Sequence, residues 1–200
     1  MREIYKAGVT PQQKMVGINQ KFGNTGIKDQ QGTSRIIYDT LPSGTATTFR
    51  FFEDSASRSF PFTNTGSDGN KLGVGDTMVI ESVIFSILDV TTATGRLANY
   101  YNFTQLVNGN ALAMFDFEIA NNKVIKRVTL SEQNSGYSKN TATEPSDLEL
   151  ETQIVLPPLL PYVLELRIPG AISAPAVGEI RYIQAQIIGT GGIIAPRTTF

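Results

Sequence analysis

Between Gly75 and Val90 the chain reads GDTMVIESVIFSILDV, and its apolar positions keep a two-residue beat that changes phase midway. Met78 and Ile80 alternate with polar or thin neighbours, as a half-buried strand requires. Beyond Glu81-Ser82 the stripe passes to Val83, Phe85 and Ile87. One extra residue inserted at the slip would bend the strand, so the pattern predicts a β-bulge there. Val79, Ile84 and Leu88 make the second face apolar as well. One face can lie against an opposing sheet. The other needs a further cover: a terminal arm, a loop or a neighbouring copy.

Seven other runs have strand character: SRIIYDT (34–40), TTFRFFE (47–53), LAMFDFEI (112–119), KVIKRVTL (123–130), LELETQIVL (148–156), YVLELRI (162–168) and EIRYIQAQII (179–188). The connections, among them LPSG, PFTNTGSDGNKLGVG, PPLLP and PGAISAPAVG, are dense in the Gly, Pro, Asn, Ser and Asp that turns need. LANYYNFTQLV (97–107) places Leu97, Tyr100, Tyr101 and then Phe103 or Leu106 at helical spacing, which predicts one short helix in a long connection.

Eight strands and little helix leave an immunoglobulin-like sandwich, a closed barrel or a jelly roll. An immunoglobulin-like domain runs to about 100 residues and shows a core Trp; this chain has 200 residues and no Trp. An up-and-down barrel has short hairpins throughout, whereas several loops here are long. Connections that cross between sheets suit two Greek keys. The expectation is an all-β protein: a single eight-stranded jelly-roll sandwich over 34–200, with an extended N-terminal arm over 1–33.

That arm, with KFGNTGIKDQQGTS at its end, sustains neither a strand nor a helix period. Such a segment cannot offset its ordering entropy alone, so order in it requires a surface to lie on. It is also where the charge is uneven. Arg2, Lys6, Lys14, Lys21 and Lys28 against Glu3 and Asp29 give a local net of +3, within a chain whose formal net charge is −1. No global field draws the protein to nucleic acid or an acidic membrane. Apolar residues are 40% of the chain and charged ones 18%, enough to bury a core with a sparsely charged surface. The N-terminus lacks an apolar run of the secretory kind, and IVLPPLLPYVL is too short and too Pro-broken to span a bilayer, so neither export nor membrane insertion is expected.

Chemistry is constrained by what is missing. The chain has no His and no Cys, which removes Ser-His-Asp and Cys-His nucleophiles, imidazole bases, disulfides and zinc sites of the usual kind. Two carboxylate pairs, Asp116/Glu118 and Glu149/Glu151, each sit two apart on one strand face. Residues so placed are about 7 Å apart, a spacing a glycosidase tolerates, although the solvent face of an amphipathic strand explains them as well. GSDGNKLGVG and GTGG open no helix and so cradle no phosphate. TNTGSDGN lacks the spacing and terminal Glu of an EF-hand loop. No catalytic residue, cofactor or metal is expected, and the chain does not read as an enzyme.

The runs LGVGDTMVIESVIFSILDV, FDFEIANNKVIKRVTL, IVLPPLLPYVLELRIPG and YIQAQIIGTGG resemble the short capsid proteins of tailless bacteriophages, particularly those of Bacteroidetes-type hosts. The likeness covers the chain from about Arg50 onward and rests on strand and turn patterns rather than chemical motifs. It implies a structural virion protein, assembled in the host cytoplasm, whose jelly-roll copies tile an icosahedral shell. Its partners would be copies of itself and other virion proteins. The arm would reach adjacent copies or make weak, non-specific contact with the packaged genome through Arg2, Lys6, Lys14, Lys21 and Lys28. Contacts between subunits are expected from the aromatic cluster Phe51, Phe52, Phe60 and Phe62. The loop residues Leu159, Leu160 and Tyr162 and the C-terminal Ile193 and Ile194 are further candidates. The rival reading is a receptor- or carbohydrate-binding jelly roll on a spike or cell surface, with loop aromatics holding sugars.

Overall fold

The computed structural model describes residues 30–65, 69–74, 76–102, 113–129 and 147–194. Nine strands run through them: β1 Gln30–Pro42, β2 Thr48–Phe51, β3 Thr77–Thr91, β4 Leu97–Asn102, β5 Met114–Ile119, β6 Asn122–Thr129, β7 Asp147–Leu156, β8 Tyr162–Arg167 and β9 Glu179–Ile194. They form two antiparallel sheets packed as a sandwich. One has the order β1-β9-β3, with β7 and β4 sharing the far edge of β3; the other has the order β2-β8-β5-β6. β7 follows β3 from Met78 to Ile84, and β4 takes over from Ser86 to Val90.

The phase slip in β3 is a bulge. Its register with both β7 and β9 shifts between Ile80 and Ser82, leaving Glu81 as the extra residue. Met78 and Ile80 before it, and Val83, Phe85 and Ile87 after it, all face the core. The bulge also fixes its neighbour. Gly189 pairs with Ile80, and a Cβ there would stand 1.9 Å from the Val79 carbonyl oxygen. Only glycine permits that approach.

Aromatic rings lock the sheets together. Phe85 of β3 meets Phe51 of β2 at 6.1 Å and Phe115 of β5 at 5.5 Å between ring centres, distances at which ring pairs add to area burial. Phe52 follows the strand end with φ of 71°, which turns its ring inward onto Tyr162 at 5.2 Å. That backbone conformation is unusual for a residue with a side chain. It is held by Asp39, whose carboxylate accepts the Phe52 amide at 2.6 Å and Arg58 Nε and Nη2 at 3.0 and 2.6 Å. Asp39 is fully buried, and these donors satisfy the charge that burial would otherwise penalise.

A second buried pair sits further along the five-stranded sheet. Asp89 and Arg181 face each other across β3 and β9 and bond through both carboxylate oxygens at 2.6 and 2.7 Å. Arg181 also donates to the Ser173 carbonyl at 2.7 Å, tying down the loop before β9. The free edge of β1 is covered as well. Asn64 Oδ1 accepts the Tyr38 amide at 2.8 Å, and its Nδ2 donates to the Ile36 carbonyl at 2.7 Å, so a side chain completes hydrogen bonds that an open edge would offer to another strand.

Two expectations, the helix over 97–107 and the count of eight strands, are corrected. Residues 97–102 form β4, an edge strand, where a helix is predicted, and 103–107 lie outside the described residues. The strand count is therefore nine among the described residues. β1 begins at Gln30, inside the segment assigned to the arm.

Candidate interaction surface

The outer faces of the two sheets are built from opposite chemistry. On the four-stranded sheet, alternation sends Thr48 and Arg50 of β2 outward while Phe49 and Phe51 are buried. Arg50, Glu165 and Asp116 then stand side by side across β2, β8 and β5. Arg50 bonds Glu53 at 2.8 Å and Glu165 at 3.1 Å; Arg167 Nε bonds Glu165 at 2.6 Å; Lys123 bonds Asp116 at 2.7 Å. Asp116 also accepts the Arg127 amide at 2.6 Å. Burial alone would push its carboxyl up, but the bonds from Lys123 and the Arg127 amide, with the charges of Lys123 and Arg167, hold it below the usual aspartate range. This face is a ladder of alternating charge, its largely buried carboxylates held by cations whose own side chains remain about 40–45% exposed.

The five-stranded sheet shows its outer face in rows. Ile36, Ile188 and Ser82 lie abreast; then Tyr38, Gln186 and Ile84; then Thr40, Gln184 and Ser86; then Pro42, Tyr182, Leu88 and Tyr100; then Ile180, Val90 and Leu97. None of these residues of β1, β9, β3 and β4 is charged; on β7 the register sets Asp147 opposite Ile84 and Glu149 opposite Ser82, at the edge of the same sheet. Polar atoms within the rows bond to one another. Gln184 Nε2 donates to Thr40 Oγ1 at 3.1 Å, Gln186 Nε2 to Gln184 Oε1 at 2.6 Å, and Ser86 and Tyr100 share a hydroxyl bond of 2.6 Å. Covering polar groups already paired within the sheet costs little desolvation, because no donor or acceptor is stranded. Ile36, Leu97, Tyr100 and Ile180 remain between 42% and 57% exposed.

The sequence-derived contact candidates divide. Phe51, Phe52 and Tyr162 are fully buried in the sandwich; their rings hold the sheets together, which corrects their assignment to subunit contacts. Phe60 is 83% exposed, and Phe62 is half-buried with its ring 5.2 Å from Tyr182, beside the uncharged face. Leu159 and Leu160 are exposed on the β7–β8 connection, where the Leu159 amide donates to the Leu72 carbonyl at 3.0 Å. Ile193 and Ile194 end β9, with side chains outside the described residues. Arg2, Lys6, Lys14, Lys21 and Lys28 lie outside them altogether.

Of the carboxylate pairs, Asp116 is held in the charge ladder with Glu118 half-exposed beside it, and the side chains of Glu149 and Glu151 are outside the described residues. Among the described residues no group of three or more Asp or Glu side chains converges as a metal site, and no helix is long and apolar enough to cross a membrane, which says nothing of strands. The uncharged face itself escapes the motif reading. Its signal is in EIRYIQAQII, where the outward phase, Ile180, Tyr182, Gln184, Gln186 and Ile188, carries no charge although it alternates with the core.

The chain matches no protein-family model and no curated protein. Among solved structures it is similar to dimeric latent PorU from Porphyromonas gingivalis, at 10% identity and a TM-score of 0.24, over 80% of this chain and 13% of that one. The chain thus spans about an eighth of that protein's length.

Proposed function

We propose that the chain is a structural virion protein, a capsid subunit that self-assembles through its sandwich and N-terminal arm into an icosahedral shell. The observation that carries this is the uncharged, internally hydrogen-bonded outer face that β1, β9, β3 and β4 present, set against a charged face on the other side. The first is built to be covered and the second to be wet. The face has the size of a partial interface. Eight residue steps by four strands give about 500 Å², against about 800 Å² per partner in a standard complex. Neighbouring loops must supply the remainder, and Phe60 and Val177 are exposed on loops between strands.

The jelly-roll reading is supported by the nesting of the strand pairs. With β4 set aside, β1 pairs β9, β2 pairs β8, β3 pairs β7 and β5 pairs β6. Nested pairs of this kind describe one long two-stranded ribbon rolled over into two sheets, the winding of two Greek keys. The sequence resemblance to capsid proteins of tailless phages points the same way. The test is assembly of the full chain by light scattering and negative-stain microscopy. Shells, pentamers or hexamers are expected. A monomer at all concentrations that binds glycans through Phe60 or Tyr100 would instead establish the carbohydrate-binding alternative.

A further inference from the structure

The outer edge of β1 is covered by side chains rather than by a strand. Among the described residues β1 pairs with β9 alone. On its other side four backbone groups in a row are taken. The Ile36 carbonyl accepts from Asn64 Nδ2 at 2.7 Å, and the Tyr38 amide donates to Asn64 Oδ1 at 2.8 Å. The Tyr38 carbonyl accepts from Thr63 Oγ1 at 3.0 Å, and the Thr40 amide donates to Asp39 Oδ1 at 3.1 Å. Little apolar burial holds this cover down. Of residues 59–65 only Thr63 is buried; Ser59, Phe60, Pro61 and Asn64 are exposed, and Phe62 rests half-buried against Tyr182. A segment with few buried apolar contacts and exposed hydrogen bonds opens before the sandwich does. Its root is firmer. Arg58 reaches the fully buried Asp39 through Nε and Nη2, and the same carboxylate takes the Phe52 amide.

We infer that residues 59–65 are an autoinhibitory strap over the edge of β1, with the Asp39–Arg58 pair as its lock. Asn64 stands in for a strand residue, because its side-chain amide supplies the acceptor and the donor that a paired backbone would. With the strap lifted, the same backbone groups are offered to another strand. The partner excluded is β1 of a second copy. An antiparallel edge pairs with itself about a two-fold axis. Between Ile36 and Thr40 the one charge, Asp39, is already bound by Arg58, so two such edges meet without repulsion. Pinned at Arg58, the strap competes at an effective concentration of about millimolar, which a second copy in dilute solution does not match.

This inference does not rest on the shell reading, since the strap closes an isolated subunit. Hydrogen exchange of the full chain, read residue by residue by NMR, tests the strap. Arg58→Ala leaves Asp39 a buried charge without its cation, so the exposed Asn64→Ala, which keeps that pair, carries the test. Exchange of the Tyr38 amide is expected to rise about tenfold, as the loss of two net hydrogen bonds implies, while the amides of β9 and of Phe52 are unchanged. Oxidation tests the partner. The chain has no native cysteine, and a two-fold pairing centred on Tyr38→Cys sets the two thiol-bearing residues about 5.5 Å apart at Cα, within disulfide reach. Disulfide dimers are expected at least tenfold faster when Asn64→Ala is added. Unchanged exchange at Tyr38 in Asn64→Ala overturns the strap, and raised exchange without faster dimers overturns the second copy as the partner it excludes. Light scattering on the same samples reads shell assembly separately, so either proposal survives the failure of the other.

Discussion

The two outer faces of this sandwich share a backbone plan and differ in what they ask of their surroundings. On the four-stranded sheet, Glu165 and Asp116 stand directly opposite each other, an arrangement that repels unless cations flank it. Arg50, Arg167 and Lys123 flank it. Their charges are content in water, and covering them would cost their hydration. On the five-stranded sheet the same kind of alternation sets Gln184 against Thr40 and Gln186 against Gln184, so these polar side chains bond within the sheet. On the proposed reading, two faces of one domain separate solubility from association.

Substitutions break that comparison in graded ways. The largest effect is expected in the layer the faces share. Phe51→Ala opens a cavity between the sheets and lowers unfolding free energy by about 3–5 kcal/mol, measured by urea denaturation, and the loss is the same for isolated and assembled protein. A loss seen only in the assembly would return Phe51 to the contact surface. Next, Ile36→Lys combined with Ile180→Lys places two charges on the uncharged face. Both side chains are about half exposed, so folding stability changes by less than about 0.5 kcal/mol, while assembly by light scattering needs at least tenfold more protein.

Asp116→Asn sharpens the other side. The carboxyl is held below its ordinary value of about 3.9, so its contribution to stability is present above that pH and is lost as pH falls through the folded-state value. The variant is less stable at neutral pH and loses less on acidification, which thermal unfolding between pH 7 and pH 3 resolves. The smallest effect belongs to Arg50→Ala. Its pairs are about half exposed on the arginine side, and exposed ion pairs contribute about 0–1 kcal/mol. Assembly is unchanged.

Much of the fold is legible in the sequence because its signals are local. The slip at Glu81-Ser82 marks the bulge, and all eight expected strands have counterparts among the nine. The helix at 97–107 fails for a non-local reason. β7 leaves β3 at Ile84, so the rest of a long strand offers an unpaired edge, and 97–102 pairs with it. Tyr101 then faces the core and Tyr100 faces outward, a split that helical spacing cannot express. The aromatic cluster misleads differently. Strand alternation puts Phe51 and Phe52 on opposite sides, yet the positive φ at Phe52, held by a carboxylate thirteen residues earlier in the chain, turns both inward. GTGG lies beyond the expected last strand (179–188) and is strand, because Gly189 must pass the bulge. The interaction surface is the least legible part. It is marked by charges that are missing, and missing charges become a pattern only once the strands are laid side by side.

The central claim is that the uncharged face meets a neighbour and the charged face meets water. Single cysteines at Ile180 and at Thr48 test it most directly, through their rates of maleimide labelling in free subunits and in assembled particles. Assembly is expected to slow labelling at position 180 at least tenfold and to leave position 48 unchanged. Equal labelling of position 180 in both states, with protection at position 48 instead, would contradict the account.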